Sequence, residues 1–405
     1  MIKMLPIIEF PQIVRDYEGC FTDVFTDKRQ INHFHEYLTG LMVSNNVTVT
    51  GINNNFVYAK NQSSLNRFLT KSKWDETKLN NMRLNLLQQK PRTKWNKFGC
   101  VSIDDVLAHK TGENIEGVAK FYDHVDHKYV IAHNIVTSQY VDKRTGYPMD
   151  YRVYFKKDSD GAKKYGFKTK IELGCELIDH AVEVDCPATT FAFDSWYLAP
   201  KLTDTIRGHE RDWVSRCKSN RKVRILGRYI QIKKFAKTLH NDDFRRVNVG
   251  DDTCYWAFTK TVQVTKLGRV RIVISYDNEE LEGNPVYIIT NRKDWDCKQT
   301  LKKYSFRQPI EPFYRDTKQH LGLEDCQLRN LQGIKRHWYL VLLAYSLIKL
   351  SVCENILSRW ENPIETIGDG CRCAEQDVLE ALVVWVYKQL LNEKNPMEVV
   401  KMLIA

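Results

Sequence analysis

Short apolar runs separated by polar turns dominate the middle of this 405-residue chain. Val101 and Ile103 precede the aspartates of CVSIDD, and Phe191 and Phe193 precede the aspartate of TTFAFD, so each carboxylate lies at the end of an apolar run. Both segments are therefore predicted to be buried strands that end in a carboxylate. Between them, residues 168–181 have the pattern of a helix. The sequence thus predicts an α/β fold.

Further elements are predicted on either side of these strands. Residues 117–122 and 129–138 read as strands before the helix, and residues 213–218 as a fifth strand after it. A long β-rich stretch follows, before a helix that is expected to begin near Gln308. Prolines at positions 309 and 312 support that start, because proline is tolerated in a first helical turn.

A fixed spacing of four residues identifies the segment with the most chemical information. Tyr304, Arg307, Glu311 and Lys318 follow the pattern Y-x2-R-x3-E-x6-K. One carboxylate thus lies among basic and aromatic groups. A carboxylate in this setting can bind a divalent cation while its neighbours hold a polyanion, which metal-assisted cleavage of a phosphodiester requires.

The motif and the two strand-end carboxylates resemble the DDE transposases of bacterial and archaeal insertion sequences, in the group that carries this Tyr, Arg, Glu, Lys signature. The resemblance covers most of the chain, including SIDDVLAHKTG, DSWY and IEPFYRDTKQHLGLEDCQ. It implies an α/β protein with an RNase H-like catalytic core, a β-rich insertion between the fifth strand and the Glu-bearing helix, and helical N-terminal and C-terminal regions. The implied regions are 1–95 (helical, DNA-binding), 96–220 (first part of the core), 221–302 (β-rich insertion), 303–360 (Glu-bearing part of the core) and 361–405 (C-terminal helices).

The resemblance also implies the active-site residues. Asp105, Asp194 and Glu311 are expected to be catalytic and to bind two Mg²⁺ or Mn²⁺ ions per active site. Asp104 is the alternative first carboxylate. The family's residue commonly precedes a threonine, and Val106 at that position favours Asp105 while departing from the pattern. Strand alternation puts Asp105 on the side of the apolar residues of CVSIDD, which also favours it.

The net charge of +11 is concentrated in two segments. Residues 60–97 hold ten Lys or Arg against two acidic residues, and residues 201–240 hold twelve against three. Two surfaces that meet a DNA backbone, or alternatively two solvated helix faces, would explain this distribution. The candidate DNA-binding residues are Lys71, Lys73, Lys78, Arg221, Lys222, Arg224, Tyr304, Arg307 and Lys318.

Three of the candidates keep alternative explanations. Arg307 and Lys318 would contact phosphates, or else form ion pairs with Asp316 or Glu324. Trp256 in the insertion is a candidate for holding a flipped base, since some members of the group release their element through a DNA hairpin. Packing in a core is the competing explanation for this tryptophan.

Cysteine usage and hydropathy exclude other classes of protein. The eleven cysteines are scattered and odd in number, which predicts a reducing cytoplasmic compartment, with nucleoid association implied by the resemblance. The longest apolar stretch, Trp338–Ile348, is much shorter than a membrane span. No membrane role is therefore expected.

The predicted function is that of a DNA transposase. It would bind the terminal inverted repeats of its element as double-stranded DNA, cleave at the ends and transfer the 3′-OH to target DNA. A homodimer is expected, because two ends must be handled together. The alternatives are a nuclease without strand transfer and a catalytically silent DNA-binding protein.

Overall fold

A large mixed sheet with helices around it forms the centre of the molecule. The structure, a computed structural model, describes residues 5–58, 61–250, 253–356 and 361–404, so residue 60 of the basic segment 60–97 lies outside the described residues. The strands are β1 (Cys100–His109), β2 (Ala119–Asp123), β3 (Lys128–Val141), β4 (Gly146–Tyr154), β5 (Thr190–Phe193), β6 (Asp212–Arg216), β7 (Lys222–Ile225), β8 (Arg228–Gln231), β9 (Arg245–Gly250), β10 (Thr253–Val264), β11 (Gly268–Tyr276) and β12 (Val286–Thr290).

Helices occupy both ends of the chain and the connections of the sheet. The α-helices are α1 (Gln12–Arg15), α2 (Lys28–Val43), α3 (Val49–Asn55), α4 (Gln62–Thr70), α5 (Glu76–Gln88), α6 (Asp160–Tyr165), α7 (Lys170–Glu183), α8 (Pro200–Gly208), α9 (Ile232–Ala236), α10 (Cys297–Ser305), α11 (Ile310–His320), α12 (Leu331–Cys353), α13 (Ile367–Leu391) and α14 (Pro396–Ile404). Short 3₁₀ turns lie at Glu18–Val24 and Asn241–Asp243. The predicted α/β class is confirmed at this level.

Five strands form the part of the sheet that carries the predicted carboxylates, in the spatial order β4, β3, β1, β5, β6. β1 pairs antiparallel with β3 and parallel with β5, and β5 pairs parallel with β6. The parallel pairs need crossover connections, which α7 and α8 supply. From Ala132 to Val141, β3 is buried at every residue, as expected for a strand covered on both faces.

Two details of the predicted strands were wrong. β1 does not end at Asp105 but continues to His109, because the long strand β3 pairs with it along its whole length. Asp104 and Asp105 therefore lie inside a strand. The chain also forms β4, a strand that was not predicted between residue 138 and the helix at 168, and β4 is the outer neighbour of β3.

The stretch between β6 and α11 continues the central sheet. β12 pairs with β6, β11 with β12 and β10 with β11, and the β7–β8 hairpin follows beyond β10. Helix α10 then leads into α11. Tyr304 thus belongs to a helix that the sequence analysis did not predict, and α11 begins at Ile310, close to the expected start.

The N-terminal helices pack against the core. Arg83 on α5 is fully buried and donates to the carbonyls of Pro148 and Met149 on β4 and to Ser346 on α12. Burial lowers the pKa of this guanidinium to about 10. Within the described ranges, no helix is both long enough and apolar enough to cross a membrane. All eleven cysteines fall in these ranges and are free thiols.

Candidate active site

The strand register brings Asp104, and not Asp105, beside Asp194. β1 and β5 run parallel with Ile103 opposite Phe193. The next residues along the two strands are Asp104 and Asp194, and residues in matching positions point to the same face. Asp105 therefore points to the other face of the sheet.

The two faces of β1 pack against different parts of the protein. Cys100, on the Asp104 face, belongs to an apolar cluster with Ala192 and with Leu301 of α10. Val101, on the Asp105 face, belongs to the main core. Because α10 leads into α11, the helix that bears Glu311 also lies on the Asp104 face.

Arg307 connects two of the acidic residues. Its Nη2 lies 2.6 Å from Asp104 Oδ2, and its Nη1 lies 3.5 Å from Glu311 Oε1. The hydroxyl of Ser102 on β1 donates to the carbonyl of Phe306 at 3.0 Å, which fixes the α10–α11 junction against the strand. Glu311 is in the first turn of α11, and its side chain is 71% exposed. It is thus open to a ligand.

The three carboxylates of Asp104, Asp194 and Glu311 carry more negative charge than the single guanidinium of Arg307 compensates. Burial raises the pKa of Asp104 to about 6, and the charges of Asp105 and Asp194 act in the same direction while Arg307 opposes them. Nε of Arg307 is buried and finds no hydrogen-bond partner among the described residues. The carboxylate oxygens of Asp104, Asp194 and Glu311 are the ligand atoms that Mg²⁺ prefers. The residues therefore fit a divalent cation.

Asp194 begins the turn that follows β5. Its Oδ1 accepts from the backbone amides of Trp196 at 2.7 Å and Tyr197 at 3.3 Å. No group in the described part of the chain donates to its Oδ2 at hydrogen-bonding distance. One oxygen thus shapes the turn, and the other is available.

Asp105 is satisfied within the protein by three donors. Lys170 Nζ lies 2.6 Å and Asn134 Nδ2 3.0 Å from its Oδ2, and the Tyr197 hydroxyl donates to its Oδ1 at 2.9 Å. This carboxylate faces α7. Its environment is that of a structural anchor.

A compact group that can hold a metal ion lies elsewhere. Among the described residues, this group is His109, Asp123 and Asp126, whose ligand atoms lie within 4.8 Å of one another, whereas the oxygens of Asp104, Asp194 and Glu311 are more widely spaced. His109 is about 17 Å along β1 from Asp104, at about 3.4 Å per residue. No local pattern in the sequence indicates this group, because only strand pairing brings the β2–β3 turn next to His109.

The Tyr304 and Lys318 positions of the motif differ in their surroundings. Burial raises the pKa of Tyr304, with the charge of Arg307 opposing the shift, so this tyrosine lies in the carboxylate region. Lys318 lies two turns along α11 from Glu311. Its Nζ is 2.8 Å from Glu324 Oε1 and donates to the carbonyl of Leu107 at 2.8 Å. The ion pair that the sequence left open is therefore present for Lys318.

An open cleft of about 780 Å³ extends from Glu311 toward the insertion strands. Arg216 at the end of β6 and Tyr255 on β10 contribute to its lining. Trp256, the next residue, points to the opposite face of β10, where the Arg246 guanidinium lies 5.7 Å from its ring centroid. The aromatic residue of β10 that lines this cleft is thus Tyr255 and not Trp256.

The other predicted DNA contacts lie outside the cleft. Most are exposed cations: Lys71, Lys73 and Lys78 around the end of α4 and the start of α5, and Lys222 and Arg224 on β7. Arg221 instead donates through Nη2 to the carbonyl of Leu198 at 2.9 Å. Arg221 therefore stabilises the backbone at Leu198, directly after the turn that begins at Asp194.

Comparison with known proteins identifies related sequences. The model of the DDE superfamily endonuclease family matches residues 20–233, a range that includes Asp104 and Asp194 and ends before Glu311. The probable transposase for insertion sequence element IS701 from Microchaete diplosiphon is 23% identical over 348 residues, which cover 83% of this chain and 87% of that protein.

A structural relative is more distant. The NurA nuclease from Sulfolobus solfataricus aligns with 60% of this chain and 88% of its own, at 12% identity and a TM-score of 0.29. A score this low supports no conclusion about fold or function.

Proposed function

This chain belongs to the DDE superfamily endonucleases, and from that premise we propose that it is the DNA transposase of an insertion sequence. It binds the terminal inverted repeats of its element, cleaves phosphodiester bonds at the ends and transfers the 3′-OH to target DNA. The observation that carries the proposal is the shared sheet face of Asp104 and Asp194, with Arg307 and Glu311 beside them. The similarity to a transposase over 83% of the chain supports the same activity.

We infer that the core is RNase H-like. The spatial order β4, β3, β1, β5, β6 supports this assignment, because the pairs from β4 to β1 are antiparallel, the pairs from β1 to β6 are parallel, and β1 lies at the centre. In such an arrangement, carboxylates far apart in sequence meet on neighbouring central strands. Asp104 on β1 and Asp194 after β5 are related in this way.

We propose Asp104, Asp194 and Glu311 as the metal ligands. Asp104 replaces Asp105 in this assignment because it shares the face of Asp194 and because the three donors around Asp105 already occupy that carboxylate. Mg²⁺ or Mn²⁺ suits such oxygen ligands. Divalent ions held by these three carboxylates would supply activation of the attacking oxygen and stabilisation of the departing 3′ oxygen.

The chain's own cations and aromatic groups would hold the DNA. Arg307 and Arg216 can contact phosphates near the scissile bond, and Tyr304 can contact the terminal nucleotide. The exposed lysines of the N-terminal helices and of β7 would bind the duplex further away, with an affinity that falls as salt rises. Two copies of the chain would act together, because an element has two ends.

Cleavage of a labelled duplex tests the function. The DNA carries the inverted repeats that flank the reading frame, and nicking is followed with Mg²⁺ and with EDTA. Wild type should nick at the repeat boundary only with metal, and Glu311→Gln should not. Asp316→Asn is the matched control. Asp316 lies on the same helix as Glu311, but its carboxylate pairs with Arg315 and not with Arg307.

The other outcomes distinguish the competing functions. Binding without cleavage under any metal would indicate a silent DNA-binding protein. Nicking without joining of precut ends to a target plasmid would indicate a nuclease. Nicking by Glu311→Gln at the wild-type rate would contradict the assigned chemistry.

A further inference from the structure

We propose that Asp105 and Lys170 are positioning residues that hold the turn 194–197, and with it the Asp194 carboxylate, from the face of the sheet opposite the reaction. The inference rests on the proposed function, in which Asp194 binds metal. It gives the second aspartate of the Asp104–Asp105 pair a separate role. Three contacts between β1, α7 and the turn support it.

The turn is fixed at both of its ends. At its start, Asp194 Oδ1 accepts the Trp196 amide at 2.7 Å. At its end, the fully buried Tyr197 donates its hydroxyl to Asp105 Oδ1 at 2.9 Å. The position of Asp105 on β1 therefore determines where the turn ends.

Lys170 holds the middle of the same turn. Its Nζ is 2.6 Å from Asp105 Oδ2, 5.2 Å from the Trp196 ring centroid and 5.4 Å from the Tyr154 ring centroid. The lysine side chain is only 18% exposed, and a cation over an aromatic face is attracted to it. Trp196 is itself 49% exposed. Lys170 thus restrains the position of the half-exposed Trp196 side chain.

This arrangement controls the direction of a metal ligand. The turn fixes Oδ1 of Asp194, so the orientation of Oδ2 follows from the turn. A metal-binding constellation must be held within about 0.5 Å of its productive geometry. The backbone amide of Asp105 also donates to Asp104 Oδ1 at 3.0 Å, which orients the Asp104 carboxylate. The carboxylate of Asp105 therefore acts on the Asp194 ligand through Tyr197 and Lys170.

The experiment measures Mn²⁺ affinity of the DNA-free protein, by the electron paramagnetic resonance signal of free Mn²⁺. All proteins carry Asp126→Asn, which removes one ligand of the His109 group. Lys170→Met removes the charge and keeps the stem, Lys170→Arg keeps the charge, and Tyr197→Phe removes only the hydroxyl. Lys168→Met is the matched control, because Lys168 pairs with Glu176 at 2.6 Å and is not a partner of the turn.

Lys170→Met and Tyr197→Phe should each weaken Mn²⁺ binding by about tenfold or more, the usual effect of losing a group that orients a metal ligand. Lys170→Arg should recover most of that loss, and Lys168→Met should bind like the parent protein. Circular dichroism and the unfolding midpoint confirm that each variant is folded. If Lys170→Met fails to fold, Tyr197→Phe carries the test.

The controls separate failure of this inference from failure of the proposed function. If Asp194→Asn loses Mn²⁺ binding while Lys170→Met and Tyr197→Phe retain it, the positioning role is overturned and the metal site stands. If Asp104→Asn and Asp194→Asn both bind Mn²⁺ like the parent protein, the proposed metal site itself fails. If Asp105→Asn abolishes binding while Lys170→Met and Tyr197→Phe do not weaken it, Asp105 is a ligand and the inference is wrong.

Discussion

The two faces of β1 at Asp104 and Asp105 differ in how their negative charge is compensated. Asp105 receives two neutral donors and a lysine, so its carboxylate is fully bonded inside the protein. Asp104 has a single guanidinium, which it shares with Glu311, and lies beside Asp194. Adjacent residues of one strand thus lie in different surroundings, and only one of the two carboxylates is fully bonded within the protein. The difference can be tested on each face separately.

The largest expected effect is on cleavage. Asp104→Asn should lower the single-turnover nicking rate on the order of 10³-fold, the loss typical of removing a group that stabilises charge in the transition state. Asp105→Asn should cost about 10- to 100-fold, as expected for a residue that orients a ligand. A greater loss in Asp105→Asn than in Asp104→Asn would reverse the assignment of the two faces.

The buried Asp104 carboxyl should make the stability of the protein depend on pH. Burial raises the pKa of Asp104 from its ordinary value of 3.8 to about 6. Between these values the folded protein keeps a proton that the unfolded chain has lost, so this group lowers the free energy of unfolding as pH rises, by up to about 3 kcal/mol above pH 6. Asp104→Asn should remove that penalty.

Urea unfolding in EDTA measures this pH effect. The stability gained by Asp104→Asn over wild type should be near zero at pH 4 and largest at pH 7. If the stability difference between Asp104→Asn and wild type stays constant over this pH range, the pKa of Asp104 is not raised in the metal-free protein.

Removing the charge of Asp105 should destabilise the protein. Asp105→Asn leaves Lys170 without its acidic partner in a mostly buried place, and a buried polar group that loses its partner costs about 1–3 kcal/mol. The double variant Asp105→Asn with Lys170→Met should lose less than the sum of the two single variants, because the residues are in contact. Strict additivity in urea unfolding would argue against the ion pair.

The smallest effect concerns the salt dependence of DNA binding. Arg216→Gln, in the cleft, should reduce the slope of log K against log salt by about one, as for the loss of one phosphate contact. Arg246→Gln is the comparison, because Arg246 lies against Trp256 on the other face of β10. If Arg216→Gln and Arg246→Gln both keep the wild-type slope, Arg216 does not belong to the DNA-binding surface.

The family was predictable from local sequence. The Tyr304, Arg307, Glu311, Lys318 spacing together with two strand-associated aspartates led to the DDE transposases, and the family match confirms that prediction. Strands β1 and β5 were also located from the short apolar runs that precede their aspartates. These features depend on residues close together in the chain, so a local pattern is enough to recognise them.

What only the tertiary structure decided is which carboxylate faces the others. Alternation along β1 says that Asp104 and Asp105 point in opposite directions, but which direction meets Glu311 depends on the face where α10 and α11 pack. The same applies to His109 and Asp123, which become neighbours through strand pairing. The sequence by itself located strands β1 and β5 and the start of α11, and it identified the family. The choice of face depends on long-range packing, which no short stretch of sequence encodes.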